Sequence, residues 1–141
     1  MTLSLSAIII AKDEEQDLPG CLDSLKGLAS EIVVVVGESS TDRTEELARA
    51  VGAKVIKRTF DDYARQRQAS LAAATGDWCL WIDADERVTP ELAEEIRSVL
   101  TSGADGFVIP FSVQFLGREL RWGGLGSETH LRLFKRSQSR F

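Results

Sequence analysis

The sequence has little cysteine, no excess of positive charge and no long apolar run. Cys21 and Cys79 are its two cysteines, too few for a disulfide scaffold, so we expect a cytoplasmic protein in a reducing compartment. The net charge of −5 argues against the broad basic surface of nucleic-acid-binding proteins, so no nucleic-acid partner is expected. The longest aliphatic run, Ile32–Val36, is far too short to span a bilayer. The charged stretch Lys12–Glu15 interrupts the apolar start, which argues against a signal peptide.

Charge is distributed unevenly along the chain. The overall composition, 43% hydrophobic and 28% charged residues, is that of a folded globular domain. Residues 118–141, however, hold six of the 17 Lys and Arg but two of the 22 Asp and Glu. Such a basic end suits an anionic acceptor or peripheral contact with the cytoplasmic face of a membrane. A solvated basic surface explains it equally well, and the sequence leaves both interpretations open.

Four similar units follow one another, each with an aliphatic run, a loop, a helical pattern and a glycine. The runs begin roughly 25 residues apart, the length of a βα unit. They lack polar alternation, which is typical of strands buried on both faces of a parallel sheet. The predicted strands are Leu5–Ala11, Glu31–Val36, Lys54–Lys57 and Trp78–Ile82.

Helices are predicted between these strands. Leucines recur at helical spacing from Leu18 to Leu28, an Ala-rich helix is predicted over Tyr63–Ala74, and Thr89 followed by Pro90 is a helix start signal. Four glycines stand where helix C-caps are expected: Gly27, Gly52, Gly76 and Gly103.

The pattern changes after Gly103. We predict a strand over Gly106–Phe115, a turn at Leu116–Arg118 into Glu119–Trp122, and a strand over His130–Lys135. The expected fold class is α/β, an open and mostly parallel sheet flanked by helices, with a β-rich C-terminal end. Ligands of such sheets bind beyond the carboxyl ends of the strands.

The loop after the fourth predicted strand carries two carboxylates, Asp83 and Asp85. In an extended chain, residues two apart point to the same side, so the pair could share Mg²⁺ or Mn²⁺ with phosphate oxygens of a ligand. A cation there would neutralise charge on a diphosphate leaving group. The alternative interpretation is an acidic turn that caps the helix beginning at Thr89.

Three other segments have a functional and a structural interpretation, both of which stay open. Lys12–Glu15 suits a ribose or base, but acids also favour a helix N-terminus. Gly37–Thr44 suits backbone contact with a ligand, but also ordinary capping with Asp42 at the cap and Glu45 three residues later. Arg67 can hold diphosphate oxygens in a forked hydrogen bond, or simply lie on a solvated helix face.

Six stretches follow one another in a recognisable order: Ser6–Glu15 (SAIIIAKDEE), Glu31–Thr44 (EIVVVVGESSTDRT), Gly52–Arg58 (GAKVIKR), Gln66–Leu71 (QRQASL), Ala74–Val88 (ATGDWCLWIDADERV) and Phe115–Lys135. Together they resemble the family 2 glycosyltransferases with the GT-A fold. The resemblance is greatest to the bacterial branch that builds lipopolysaccharide core and other envelope glycans. It covers nearly the whole chain, and the order of the stretches is more specific than any one motif.

The resemblance implies a single GT-A domain over residues 1–141. Residues 1–103 would bind the nucleotide sugar, and residues 104–141 would begin the acceptor side, incomplete at the C-terminus. The implied reaction moves a sugar from a nucleotide-diphospho-sugar to a hydroxyl of a glycan or glycolipid, with inversion and a carboxylate base. By resemblance, the nucleotide is lined by Lys12, Asp13, Glu14, Arg67 and Asp83, while Asp83 and Asp85 hold Mg²⁺ or Mn²⁺.

Two departures from the family pattern qualify these expectations. The family's second strand usually ends in an acid that reads the nucleobase, but Gly37 stands at that place, and Glu38 is the candidate substitute. On the acceptor-side segment Glu128 is the candidate catalytic base, and His130 is expected to be structural. The competing hypothesis is a catalytically inert module that binds a nucleotide or another subunit. A nucleotidyltransferase is less favoured, because the Gly-rich basic loop after the first strand is missing.

Overall fold

The computed structural model describes residues 3–103, 105–108, 113–115, 118–120 and 131–136. In these ranges the helices are α1 (Leu18–Ser24), α2 (Thr44–Ala50), α3 (Tyr63–Ala73) and α4 (Pro90–Val99). The strands are β1 (Leu5–Ala11), β2 (Glu31–Gly37), β3 (Lys54–Arg58), β4 (Trp78–Trp81), β5 (Gly106–Val108), β6 (Val113–Phe115), β7 (Arg118–Leu120) and β8 (Leu131–Lys135). None of the described helices has the length and apolarity needed to cross a bilayer.

The main sheet has the strand order β3-β2-β1-β4-β8-β5. The first four of these strands are parallel, while β8 runs antiparallel to both β4 and β5. The α/β, mostly parallel sheet expected from the sequence is therefore confirmed, and the four predicted strands are right to within one residue at each end. After residue 103 the prediction was less accurate. The predicted strand over Gly106–Phe115 holds two described strands, β5 and β6, that belong to different sheets, and Arg118, predicted in a turn, belongs to β7, which pairs with β6.

The central strands are buried on both faces, as their unbroken aliphatic runs require. One face packs Ile9, Val34 and Leu80 into a cluster with residues of α1 and α4. The opposite face packs Ile8 and Val33 against residues of α3. Neighbouring residues of one strand thus belong to different clusters, which fixes the register, because a shift by one residue would exchange the two faces.

Helix boundaries follow local signals more closely than periodicity does. The Thr89 hydroxyl accepts a hydrogen bond from the Leu92 amide at 3.1 Å, with Pro90 next, which confirms the predicted start of α4. The leucine period runs on to Leu28, yet α1 ends at Ser24 and the chain turns at Gly27, which has a φ of 79°. Such a positive φ favours glycine.

Gly76 was predicted as a helix C-cap, and that prediction was wrong. A Cβ on Gly76 would lie 2.6 Å from the Ser6 hydroxyl oxygen and 2.8 Å from the Ser6 amide nitrogen. The residue is therefore glycine because α3's exit passes directly against β1, and no side chain fits between them.

The C-terminal segment completes the same sheet that the first half begins. Strand β8 lies between β4 and β5, and all three belong to one sheet. Lys135 forms an ion pair with Asp105 at 3.2 Å, and the Arg136 side chain donates to the Gly76 carbonyl at 2.8 Å. The division expected at residue 103 is thus no break in the sheet, while its functional meaning stays a prediction.

A carboxylate network fastens the amino ends of the strands, opposite the edge where their carboxyl ends lie. Glu31 accepts hydrogen bonds from the Ser6 hydroxyl at 2.6 Å and from the amide and hydroxyl of Thr75 at 2.9 Å each. Lys54 lies 3.2 Å from its other oxygen. Burial by itself would raise the pKa of Glu31, but these hydrogen bonds outweigh it and lower the pKa to about 2.

We predict that Glu31 makes the stability of the fold depend on acidic pH. Because its pKa in the folded chain is lowered, its stabilisation is present above the ordinary value of 4.5 and is lost as the pH falls toward 2. Replacing Glu31 by Gln should lower the free energy of unfolding at pH 7 by about 2 kcal/mol and have little effect near pH 2. Urea unfolding measured across this pH range tests the expectation.

The matched control is Glu95→Gln on the exposed side of α4, which should change the free energy of unfolding by less than ~0.5 kcal/mol at every pH. A deficit of Glu31→Gln that is as large at pH 2 as at pH 7 would contradict the assignment.

Candidate functional site

The carboxyl ends of three strands meet at one edge of the sheet. In the parallel register Ala11 of β1 is opposite Val36 of β2, and Ile8 of β1 is opposite Trp81 of β4. The amide of Ile82 continues this pairing by donating to the Ile8 carbonyl at 3.2 Å. The loops predicted to carry chemistry therefore leave the sheet at the same edge.

The first loop is fastened to the second by the side chain of Asp13. Its carboxylate accepts hydrogen bonds from the Thr41 amide at 2.8 Å and the Ser40 hydroxyl at 3.3 Å. Asp13 also has a φ of 52°, a left-handed conformation that Asp tolerates better than most residues. The Asp13 carboxylate thus has a structural use in shaping the loop, and its predicted contact with a nucleotide stays a prediction.

The second loop is held by Asp42, although not in the way predicted. The N-cap of α2 is Arg43, which makes no side-chain cap hydrogen bond, so the expectation that Asp42 is the cap residue was wrong by one position. The Asp42 carboxylate accepts from the Thr44 amide at 2.9 Å and from the Glu15 amide at 3.1 Å. Asp42 therefore joins the end of the second loop, where α2 begins, to Glu15 of the first loop.

Lys12 and Glu38 lie beside Gly37, the last residue of β2, where the family resemblance led us to expect an acid. Both side chains are exposed. A Cβ on Gly37 would lie 3.4 Å from the Lys12 Cβ, so the lysine stem lies beside this glycine. The Glu38 carboxylate accepts a hydrogen bond from the Thr59 hydroxyl, which ties it to the end of β3.

The acidic loop is a turn and not an extension of the strand. Strand β4 ends at Trp81, and the Glu86 amide donates to the Asp83 carbonyl at 2.9 Å. The premise that Asp83 and Asp85 point to one side because they lie in extended chain was therefore wrong. The turn leaves Asp83 half-exposed and Asp85 exposed at the edge of the sheet.

Helix α1 supports one side of this turn. The Cys21 thiol donates to the Asp83 carbonyl at 3.6 Å, and the Val88 amide donates to the Ser24 hydroxyl at 3.0 Å. Burial, and then the negative charges of Glu86, Asp83 and Asp85, raise the pKa of the Cys21 thiol to about 12. The thiol therefore stays protonated at neutral pH and acts as a packing and donor group.

Strand β8 supports the other side through Arg132, a residue that was not among the predicted site residues. Its guanidinium contacts both oxygens of Glu86, at 2.7 and 3.2 Å, and lies 3.9 Å from the Asp83 carboxylate. The Arg132 side chain is 4% exposed, so it does not contribute to a basic surface as its place in the basic end suggested.

Arg67 lies next to the acidic loop, over the last residue of β4. Its guanidinium carbon is 3.7 Å from the centroid of a Trp81 ring and 5.7 Å from that of Tyr63. A guanidinium at this distance over an aromatic face is held by cation–π attraction. The stack holds the Arg67 guanidinium against Trp81, which is two residues before Asp83 in the sequence. A positive charge therefore lies at the end of the strand that leads into the acidic loop.

Carboxylates crowd this edge of the sheet. The pKa of Glu14, in the first loop, is raised by burial and then by the charges of Asp85, Asp17, Asp42 and Asp83. Glu14 and the acidic loop are therefore electrostatic neighbours, although they are far apart in the sequence. Like charges held together in this way favour a bound cation.

The residues present fit a divalent cation that is shared with a ligand. Within the described part of the chain no donor contacts the Asp85 carboxylate, and no three His, Cys, Asp or Glu side chains come together as a self-sufficient metal site. Mg²⁺ commonly takes one or two carboxylates and completes its shell with water and phosphate oxygens. Hard oxygen donors of the Asp83–Asp85 turn suit Mg²⁺ or Mn²⁺ in this way.

Two predicted residues lie outside the described residues. Glu128, the candidate base, and His130, expected to be structural, both precede β8 in a stretch for which the structure gives no placement. Glu128 accordingly remains a candidate from the sequence.

A family model for "Glycosyl transferase family 2" matches residues 6–141. Among curated relatives, an uncharacterised glycosyltransferase of Rickettsia bellii is 34% identical over 116 residues, which are 82% of this chain and 39% of that protein. The lipopolysaccharide core biosynthesis glycosyltransferase LpsC of Rhizobium meliloti is 30% identical over 146 residues, 99% of this chain and 53% of that protein.

Solved structures show the same fold. S. aureus TarS superposes with a TM-score of 0.74 at 19% identity, over 96% of this chain and 29% of that one. Glucosyl-3-phosphoglycerate synthase from Mycobacterium tuberculosis, in complex with Mn²⁺, UDP and phosphoglyceric acid, gives a TM-score of 0.60 at 28% identity, over 73% of this chain and 40% of that one.

The matched region is part of longer relatives: the chain spans 39% and 38% of the length of two Rickettsia glycosyltransferases that it matches. The family match nevertheless covers nearly all of its residues, including the strands and loops that form the edge described above. The chain belongs to glycosyl transferase family 2.

Proposed function

We propose that this chain is the donor-binding part of a metal-dependent glycosyltransferase that uses a nucleotide-diphospho-sugar. The observation that carries the proposal is the exposed turn at Asp83 and Asp85, whose second carboxylate has no donor partner among the described residues. This turn lies beside Arg67 and close enough to Glu14 to raise its pKa. Crowded carboxylates next to a fixed guanidinium suit a cation and a diphosphate bound together.

Each charged group has a role in this proposal. Asp83 and Asp85 hold Mg²⁺ or Mn²⁺, which supplies electrostatic stabilisation to the departing nucleoside diphosphate. Arg67 donates to the diphosphate, and its position over Trp81 means that little side-chain freedom is lost on binding. Mechanistically the site therefore binds and orients the donor and compensates the charge of its leaving group.

The nucleoside lies, in this proposal, against the first two loops. Lys12, Asp13 and Glu14 line it from one side, and Glu38 stands in for the acid missing at Gly37. Similar proteins support a uracil nucleotide as the first to test: glucosyl-3-phosphoglycerate synthase from Mycobacterium tuberculosis was solved with UDP and Mn²⁺, and S. aureus TarS with UDP and with UDP-GlcNAc.

The proposed acceptor and catalytic base are supported by the sequence and by one relative. LpsC is a lipopolysaccharide core biosynthesis glycosyltransferase, which supports transfer to an envelope glycan or glycolipid. Peripheral contact with the cytoplasmic face of a membrane is proposed from the basic composition of residues 118–141 alone. We propose an inverting reaction, in which Glu128 acts as the base that takes the proton of the acceptor hydroxyl.

An inert nucleotide-binding module is the second candidate, and Gly37 favours it. A glycine at the end of β2 has no side chain with which to read a base, so donor selection could be weak. Turnover by the 141-residue chain with a nucleotide sugar and a lipid-linked glycan acceptor would exclude this reading.

We predict that Asp85→Asn strongly weakens Mn²⁺-dependent nucleotide binding without unfolding the chain. Asp85 is exposed, so its replacement should cost less than ~0.5 kcal/mol of stability, whereas the loss of a charged cation ligand should weaken Mn²⁺-dependent binding by roughly a hundredfold. Calorimetric titration with UDP, with and without Mn²⁺, measures the effect.

Glu91→Gln, an exposed acid in the first turn of α4, is the control and should bind as the unchanged chain does. If Asp85→Asn bound UDP with the same Mn²⁺ dependence as the unchanged chain, the metal assignment would be wrong.

We predict that Gly37→Asp tightens nucleotide binding. A new Cβ would lie 3.4 Å from the Lys12 Cβ, which is ordinary van der Waals contact, so the position accepts a side chain's first carbon. A carboxylate there can accept a hydrogen bond from a base N–H, a charged hydrogen bond worth about 1.5–3 kcal/mol, or roughly tenfold to a hundredfold in affinity.

Gly37→Ala separates the added carboxylate from the added bulk. UDP titration should show tighter binding for Gly37→Asp and an unchanged affinity for Gly37→Ala. Equal responses of the two variants would mean that no base N–H lies at this position.

A further inference from the structure

A buried ion pair joins the end of the chain to the acidic turn. Arg132 of β8 and Glu86 make two hydrogen bonds, at 2.7 and 3.2 Å, in the forked geometry of a guanidinium and a carboxylate. Their side chains are 4% and 16% exposed. Residues 46 positions apart in the sequence thus form a short, buried charged contact at this edge.

Glu86 is fully engaged in holding the turn. Its Oε1 accepts from both the Asp83 amide, at 2.8 Å, and Arg132, while its Oε2 accepts from Arg132. The Glu86 amide returns a hydrogen bond to the Asp83 carbonyl at 2.9 Å. Both oxygens of this carboxylate point inward, so Glu86 is not a third ligand beside Asp83 and Asp85.

Arg132 connects three parts of the same edge. Besides Glu86, it donates to the Trp81 carbonyl at 3.3 Å and lies 3.9 Å from the Asp83 carboxylate. Its guanidinium carbon is 4.8 Å from the centroid of the Trp81 ring that also carries Arg67. Movement of Arg132 would therefore disturb the strand end, the turn and the stack together.

Pairing of the strands explains how Arg132 comes to this place. Leu80 of β4 is opposite Leu133 of β8, and Cys79 is opposite Phe134. The next position of this antiparallel register sets Arg132 beside Trp81, on the face that α3 covers. The arginine is thus aimed at the turn by the sheet itself and needs no loop to place it.

We propose that Arg132 and Glu86 are positioning residues, which hold Asp83 and Asp85 in the orientation that binds a divalent cation together with a nucleoside diphosphate. The inference rests on the proposed function for the identity of the ligand. It adds that the donor site, whose groups otherwise come from residues 12–86, depends on a strand of the acceptor-side segment. Neither residue touches the reacting atoms; each acts through the turn.

The decisive variant removes the pair while conserving charge and bulk. Glu86→Leu with Arg132→Met replaces one negative and one positive side chain, so the net charge is unchanged. Buried ion pairs replaced by apolar residues of similar volume often keep their stability. We expect thermal unfolding close to that of the unchanged chain, but a dissociation constant for Mn²⁺ in the presence of UDP that is raised about 10- to 100-fold, as for other groups that orient metal ligands.

A second readout needs no ligand. In the same variant, hydrogen exchange at the amides of Asp83 and Glu86 should accelerate at least ~10-fold, because the pair's removal deletes the acceptor of the Asp83 amide and loosens the turn. Arg132→Lys keeps the positive charge but loses the two parallel hydrogen bonds of the guanidinium. We expect it, too, to raise the dissociation constant for Mn²⁺ and to accelerate exchange at the two amides. If the double variant does not fold, these two measurements on Arg132→Lys test the positioning role in its place.

The matched control is Glu94→Leu with Arg97→Met, an exposed ion pair within α4, which should leave both readouts unchanged. A folded Glu86→Leu/Arg132→Met chain with unchanged Mn²⁺ affinity and unchanged exchange would overturn the positioning role. If the unchanged chain itself bound no Mn²⁺ with UDP, the proposed function would fail, and the exchange measurement alone would still decide whether the pair holds the turn.

Discussion

Pairing of β1 with β2 on one side and with β4 on the other is the constraint from which the site follows. The parallel register brings the carboxyl ends of the three strands to one edge, and burial of Ile8 and Ile9 on opposite faces prevents that register from slipping. The loops that follow the three strands therefore begin side by side at this edge of the sheet. This alignment brings the charges of Glu14 and Asp85 close enough for Asp85 to raise the pKa of Glu14, after the larger effect of burial.

Crowding of charge at this edge is balanced by cations that come from elsewhere in the chain. Arg67 reaches it from α3 and Arg132 from β8, and both rest on the ring of Trp81. Acids that accept hydrogen bonds within the protein, such as Asp13 and Glu86, shape the loops. Asp85, by contrast, is exposed and accepts no hydrogen bond from the described residues, which is the observation behind the proposed cation site.

Prediction from the sequence succeeded where a local signal decides the structure. The central strands follow from unbroken aliphatic runs, and α4 follows from Thr89 and Pro90. It failed where a contact between distant segments decides. Gly76 is required by close approach to β1, and Arg132 looked like part of a basic surface, because nothing local shows that β8 inserts beside β4. For the candidate site, the sequence analysis selected Asp83, Asp85 and Arg67, whose roles stay predictions, but it did not find Glu86 and Arg132, which hold the turn.

The most direct test of this account is where Mn²⁺ binds. Backbone amide spectra of the ¹⁵N-labelled chain with UDP, recorded with Mg²⁺ and then with Mn²⁺, report each amide close to the paramagnetic ion. We predict selective broadening of the amides of Glu14 and residues 83–86, with the amides around Glu31 at the opposite end of the sheet unaffected. Broadening centred on the exposed acids of α4, or the same pattern with and without UDP, would contradict a cation shared between the acidic turn and a nucleoside diphosphate.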